Sequence, residues 1–315
     1  DDDRSGYTLT QGILPLRERL LQDIRRRYPG HDDRAVMVTS GTSGGLVLAL
    51  LCTLNQGDEA IIFDPYFVMY PHFIRIAGGT PVFIDTYPGF QIDVDKVKQA
   101  ITPKTKIIIA NSPGNPTGAV AAADTLRDLA RLAAERGILL LSDEVYSAFC
   151  YDQPFTSPAE HNPETLVLDG FSKAYGMTGW RLGYCHGPRR LIEEMIKLQQ
   201  FTYVCAPSIV QYGGLAALDV DISPIIDEYR KKRDFMVNGL KDLYELGNPN
   251  GAFYLFPKAP WGTGSEFGAE AVRHELLIIP GGVFSRRDTH FRLSYAAKQA
   301  TLERGVDILC RLAKR

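Results

Sequence analysis

KIIIANSPGNPTG, residues 106–118, decides how the rest of the chain is read. Its first five residues are a short apolar run rich in isoleucine, which fits a buried strand. The next eight, NSPGNPTG, contain two prolines and two glycines, a density that excludes both helix and strand. An ordered loop is therefore presented at the carboxyl end of a strand, the edge where open α/β sheets bind ligands.

The same strand-then-loop pattern recurs on both sides. Upstream, residues 60–63 read as a strand ended by Asp64-Pro65-Tyr66-Phe67, followed by a helix to about residue 76, a strand at 80–84 and a short helix at 94–100. Downstream, the Ala-, Leu- and Arg-rich stretch 121–136 reads as a helix stopped by Gly137, and 138–142 as a buried strand ending in Asp143-Glu144-Val145-Tyr146. Two acids directly after an apolar strand are expensive to bury unless paired, so at least one of them needs a cationic or hydrogen-bonding partner. Nearer the start, Pro15 opens a helix with Leu16, Leu20, Leu21 and Ile24 on one face; a strand at 35–38 then feeds SGTSGG, residues 40–45, and an apolar helix. This alternation predicts an α/β class with a mostly parallel sheet.

Beyond residue 183 the pattern changes. Helices are expected at 188–201, 208–218 and 225–246, the last a long, partly exposed bridge. Strands at 253–256, 276–279 and 291–295 then alternate with helices at 266–274 and 301–313. The expected division is an N-terminal segment and helix at 1–28 belonging to the small domain or a dimer contact, a large domain at 29–222, and a small α+β domain at 223–315.

Composition bounds the function. The chain has 315 residues, 45% hydrophobic and 23% charged, with a net charge of −2, so it presents no basic field for nucleic acid and no polybasic membrane anchor. No apolar run approaches the roughly 20 residues needed to span a bilayer, and the start, DDDRSG, is acidic where a signal peptide is basic. Five scattered cysteines (Cys52, Cys150, Cys185, Cys205, Cys310) form no C-x-x-C pair and suit a reducing compartment, with cytoplasm as the expected location. Six histidines at unrelated spacings predict no metal site.

Two stretches carry candidate chemistry. SGTSGG opens a helix whose free N–H groups, with Thr42 and Ser43, suit a phosphate, although a glycine turn needed only for tight packing would look the same. It matches neither a Walker loop nor a dinucleotide fingerprint. DGFSKAYGMTGWRLG, residues 169–183, follows a strand at 165–168 and places Lys173 eight residues before Arg181. An amine held near a carbonyl condenses to an imine, and a guanidinium fork suits a phosphate. Taken alone, the pair reads more readily as solvated surface charge.

Seven stretches, in order, resemble the class I/II, fold-type I aminotransferases that use pyridoxal phosphate, with an aspartate aminotransferase-like pattern. They are Y-x-x-x-x-G-x-x-x-L-R at 7–17, VTSGTSGG at 38–45, DPYF at 64–67, NSPGNPTG at 111–118, SDEVY at 142–146, GFSKAYGMTGWRLG at 170–183 and FRLSYA at 291–296. The resemblance implies a three-layer α/β/α large domain and a homodimer. It implies that Lys173 holds the cofactor through a Schiff base and shuttles a proton, and that Asp143 faces the pyridine nitrogen. Tyr146 and Asn115 match residues on the ring 3′-oxygen, and Phe67 matches the ring that stacks on the cofactor. Gly41, Thr42, Ser43, Ser172 and Arg181 match the phosphate set, joined by Tyr7 reaching across from the other subunit. Arg292, with Asn115, matches the grip on the substrate α-carboxylate.

Family members carry a further stretch ahead of the position that Tyr7 matches, and the sequence as read starts close to it. Arg286 and Arg287 are candidates to meet a side-chain carboxylate, the alternative being a solvent-facing pair; the WGTG segment at 261–264 is a candidate for the pocket wall. The expected activity is transfer of an amino group from an L-amino acid, aspartate or aromatic, to a 2-oxo acid such as 2-oxoglutarate by a ping-pong cycle. The alternative on the same cofactor is a carbon–sulfur β-lyase. A non-catalytic binding module fits poorly with so complete a set of reactive groups.

Overall fold

The computed structural model describes residues 5–314. Among them, seven strands form one sheet: β1 (Arg34–Ser40), β2 (Glu59–Asp64), β3 (Thr80–Asp85), β4 (Thr105–Asn111), β5 (Leu139–Asp143), β6 (Leu166–Gly170) and β7 (Leu182–Pro188). Their order across the sheet is β1-β7-β6-β5-β4-β2-β3, with every pairing parallel except those that β7 makes with β1 and β6. The central strands are apolar on both faces because helices cover both sides. Ile107, Ile108 and Ile109 of β4 are fully or almost fully buried, and each contributes roughly 1.5–3 kcal/mol of burial.

The helices of this unit are α1 (Leu14–Arg27), α2 (Gly41–Thr53), α3 (Met69–Ile76), α4 (Val94–Ala100), α5 (Ala123–Glu135), the single turn α6 (Phe171–Ala174), α7 (Arg189–Thr202) and α8 (Ser208–Ala217). In α5, Leu129, Ala130 and Ala133 recur at helical spacing and are buried against the sheet with Ile108 and Leu140. Helix α1 packs Leu16, Leu20 and Ile24 with Val36, Val38 and Val167, so it sits on the large sheet rather than on the small unit.

The rest of the chain is α9 (Ser223–Leu240), β8 (Tyr254–Leu255), α10 (Gly264–Arg273), β9 (Ile279–Pro280), β10 (Phe291–Ser294) and α11 (Gln299–Leu312), with β10 between β8 and β9 in an antiparallel sheet. Its core is continuous with the segment after β5, since Val145, Tyr146 and Phe149 pack with Tyr254, Phe267 and Phe291. No described helix is long and apolar enough to cross a membrane, and the five cysteines are free thiols.

Strand β7 was not expected from the sequence. Two glycines, a histidine and a terminal proline give Leu182–Pro188 little strand character of its own. Burial between β1 and β6 overrides that preference. Register then does the positioning: Asn111 pairs with Asp143, Asp143 with Leu168, and Gly170 with Gly183, while Gly183 also faces Thr39. The carboxyl ends of β1, β4, β5 and β6 are thereby set along one edge.

Gly183 has no room for a side chain, because a Cβ there would lie 2.6 Å from both the Gly41 carbonyl carbon and the Thr42 nitrogen. The substitution Gly183→Ala should push the start of α2 away from β7 and cost about 1–3 kcal/mol. Thermal denaturation should show a midpoint several degrees lower, and an unchanged midpoint would contradict this packing.

Candidate active site

One cavity of about 470 Å³ opens at that edge, between the large sheet and the small unit. Its walls include Thr42, Ser43, Phe67, Asn115, Asp143, Tyr146, Ser172, Lys173, Arg181 and Arg292, residues drawn from loops that lie far apart in sequence.

The floor is Asp143, the last residue of β5 and buried. Tyr70 Oη donates to its Oδ2 at 2.7 Å, and the Asn111 side-chain amide donates to its backbone carbonyl at 3.0 Å. Burial pushes the carboxyl upward, opposed by the Tyr70 hydrogen bond, the Val145 N–H and the Lys173 charge. The site therefore favours a further cation or donor against Asp143. Phe67 stands at the mouth of α3, edge-on to Tyr70 with ring centroids 5.4 Å apart.

Lys173 lies in the turn α6, with Nζ 5.9 Å from the Tyr146 ring centroid and 5.8 Å from that of Phe253. Burial lowers its pKa first, and the charges of Arg292 and Arg181 lower it further, with Asp143 opposing. A neutral amine is the form that attacks a carbonyl or takes up a proton.

An anion site lies beside it. Helix α2 begins at Gly41 with no side-chain cap, so its first N–H groups face the cavity mouth with their positive dipole end. Gly41 has a left-handed φ of +67°, and a Cβ there would come within 2.5 Å of the Arg181 guanidinium. Glycine is what allows that close approach. Arg181 Nη1 is steadied by the Thr178 carbonyl at 3.1 Å, and Ser172 and Thr178 complete the wall.

At the opposite side, Arg292 of β10 donates to Asn115 Oδ1 at 2.9 Å. Its guanidinium carbon lies 4.4 Å from the Phe284 ring centroid and 4.7 Å from that of Tyr254. Held against two rings, the guanidinium still has donors for a planar partner such as a carboxylate. Tyr146 and Tyr254 share a hydroxyl hydrogen bond of 2.9 Å. Val68, Ile279, Val283 and Phe284 form the apolar part of the wall.

Two expectations are corrected. Arg286 and Arg287 do not line the cavity: Arg286 lies over the Phe83 ring, while Arg287 lies over Tyr87 and pairs with Asp85. Both are exposed, as the solvent-facing alternative has it, and their side chains reach across to β3 and the segment after it. Trp261 of WGTG is turned away, packed on Phe267 and donating to the Leu312 carbonyl. Tyr7, expected to act from the other subunit, lies outside this chain's own cavity: it is 88% exposed and borders a separate shallow groove with Leu9, Leu14, Pro15 and Tyr212. No group of histidine, cysteine and acidic residues that could hold a metal occurs among the described residues.

Sequence reasoning missed Tyr70, Asn111, Tyr254 and the 279–284 wall. Tyr70 falls three residues after Phe67, across a turn closed by its N–H on the Phe67 carbonyl at 3.0 Å. Tyr254 sits in the aromatic run FYLF, which carries no signal for which ring faces a cavity.

Comparison with known proteins agrees with this arrangement. Residues 1–309 match the family model for aminotransferase class I and II. The chain is 36% identical, over 98% of its length and 86% of the relative's, to a protein of Methanocaldococcus jannaschii named "Probable aspartate aminotransferase". It superposes on the Thermus thermophilus aspartate aminotransferase with maleate at a TM-score of 0.92 and 34% identity, covering 98% of this chain and 84% of that one. The aromatic aminotransferase of Pyrococcus horikoshii gives a TM-score of 0.93 at 31% identity, covering 98% and 88%.

Burial lowers the Lys173 pKa, and the charges of Arg292 and Arg181 lower it further. Replacing Arg292 by Leu removes one cation, so the amine should become more basic and its neutral fraction at a fixed pH should fall. The pH midpoint for covalent labelling of Lys173 should move upward; an unchanged or lower midpoint would contradict the coupling.

Proposed function

The chain belongs to the class I and II aminotransferases, and from that premise we propose which of its residues do the work and which substrates it takes. It is an aminotransferase of fold type I, and members of this family use pyridoxal phosphate. The residues fit that group: an uncapped helix start beside Arg181 suits its phosphate, the buried Asp143 suits a protonated ring nitrogen, and Phe67 supplies an aromatic face. When bound, the cofactor supplies the electron sink at the substrate Cα and carries the amino group between half-reactions.

In the proposed mechanism Arg292, aligned by Asn115, Tyr254 and Phe284, grips the α-carboxylate and turns the donor's amine and Cα–H toward Lys173. Neutral Lys173 also anchors the cofactor. It takes the proton from the donor Cα, and in the second half-reaction it returns a proton to the Cα of the acceptor. Asp143, fixed by Tyr70, keeps the ring nitrogen protonated; Tyr146 and Asn115 hold the ring 3′-oxygen. Thr42, Ser43, Ser172 and Arg181 bind the phosphate, with the Gly41 turn admitting it. The observation that carries this reading is a single cavity that brings Lys173, Asp143, Arg181 and Arg292 together.

For the donor we favour an aromatic L-amino acid over aspartate. Lys173, Arg181 and Arg292 are the cations lining the cavity among the described residues, and each has a task, while the remaining wall of Val68, Ile279, Val283 and Phe284 is apolar. Relatives named for aspartate and for aromatic donors bracket the choice. 2-Oxoglutarate is the acceptor to test first. The domains proposed are 29–222 and 223–315, closing over this cavity. A homodimer is proposed too, supported by the exposed Tyr7, Leu9 and Leu14, with Tyr7 reaching the phosphate of the other subunit. A cytoplasmic location is in keeping with the free thiols.

A panel of amino donors with 2-oxoglutarate tests the reading. Phenylalanine or tyrosine should exceed aspartate in kcat/KM by about tenfold or more, a preference worth roughly 1.4 kcal/mol. The reverse order would overturn the assignment of the wall. Lys173→Ala should lose at least about a thousandfold in turnover with every donor, the loss expected when anchor and proton carrier go together.

A further inference from the structure

Phe284 covers one face of Arg292, yet the chain holding it in place is fixed from outside the cavity. The segment 284–287 crosses from the small unit to the ends of β2 and β3. The Tyr66 N–H donates to the Phe284 carbonyl at 2.8 Å, and the Arg286 N–H donates to Asp64 Oδ2 at 3.1 Å. Ser285 meets the same carboxylate with its hydroxyl, whose oxygen accepts from Tyr87 Oη at 3.0 Å and from the Arg287 N–H at 3.0 Å. Arg287 stacks on Tyr87 and pairs with Asp85, which stands beside Asp64 in the β2–β3 register.

Asp64 is an unusual residue to bury at this junction. It is only 5% exposed, and its Oδ1 finds no partner among the described residues. An unsatisfied buried carboxylate oxygen costs of the order of 1–3 kcal/mol or more. Burial pushes its pKa up, against the hydrogen bonds from Ser285 and the Arg286 N–H. A group kept at such a cost has work beyond packing, and its polar contacts on the far side all go to the two residues after Phe284.

We propose that Asp64, together with Tyr87, is a positioning residue for substrate binding: it pins Ser285 and Arg286 so that Phe284 stays on the Arg292 guanidinium and Arg292 stays aimed at the substrate α-carboxylate. The exposed Arg287–Asp85 pair contributes little beside this buried contact. Nothing in the arrangement touches the phosphate side of the cavity, so the two halves of the site respond separately. This inference rests on the reading of Arg292 as the carboxylate grip.

The test uses the holoenzyme and a simple aromatic donor. Asp64→Ala should raise the donor KM by about tenfold, lower kcat by less than about threefold and leave the cofactor dissociation constant within about twofold. Asp64→Asn, which keeps an acceptor for the Arg286 N–H, should recover most of the affinity. Where Asp64→Ala does not fold, Tyr87→Phe removes only the hydroxyl that holds Ser285 and should raise KM by about two- to fivefold in the same pattern. Arg292→Ala runs alongside: an unchanged KM there contradicts the carboxylate grip itself. A raised KM in Arg292→Ala with unchanged KM in both Asp64→Ala and Tyr87→Phe overturns the positioning role alone, as does a cofactor affinity that falls in step with KM.

Discussion

A carboxylate at the end of a buried strand is costly unless something charged or hydrogen-bonding meets it. Asp143 is met by Tyr70 from α3, by the Val145 N–H and by the charge of Lys173. These partners leave the carboxyl shifted upward, so the site is built to receive one more positive group. The opposite holds for the amine: Lys173 is crowded by Arg181 and Arg292 and pushed toward neutrality. An acid short of positive charge and an amine with too much of it face one cavity. That imbalance is what a cofactor with a protonated ring nitrogen and an anionic phosphate relieves.

Most of this was legible in the sequence, for a physical reason. In a parallel sheet, ligand groups gather at strand carboxyl ends, and strands such as KIIIA followed by loops such as NSPGNPTG declare those ends locally. Lys173, Asp143, Asn115, Arg181 and Arg292 each lie in a stretch with its own signature. Strand β7 was not legible, because Leu182–Pro188 owes its extended form to pairing on both edges and not to its residues. Nor was the fate of Arg286 and Arg287, whose partners Phe83, Asp85 and Tyr87 lie about two hundred residues earlier. Charge on a loop tells of a partner and not of where that partner is.

The apolar wall shows how the two sheets divide the work. The large sheet supplies Asp143, Lys173 and Arg181 to the cavity, while the small unit supplies Arg292 and the wall at 279–284. Beside the apolar packing that joins the two, a polar contact through Asp64, Ser285 and Tyr87 lies next to Phe284. In the proposed reading, substrate side chains meet a surface positioned by contacts that no substrate touches. Changes in donor preference therefore need not arise in the cavity lining itself.

The central claim is that Lys173, its pKa lowered by burial and by two arginines, works on an amino donor with bound pyridoxal phosphate. Its most direct measurement is a spectrophotometric titration of the yellow holoenzyme with phenylalanine in the absence of any 2-oxo acid. The visible band should bleach stoichiometrically and return when 2-oxoglutarate is added. A band that stays unchanged in protein carrying its full complement of cofactor would contradict the claim.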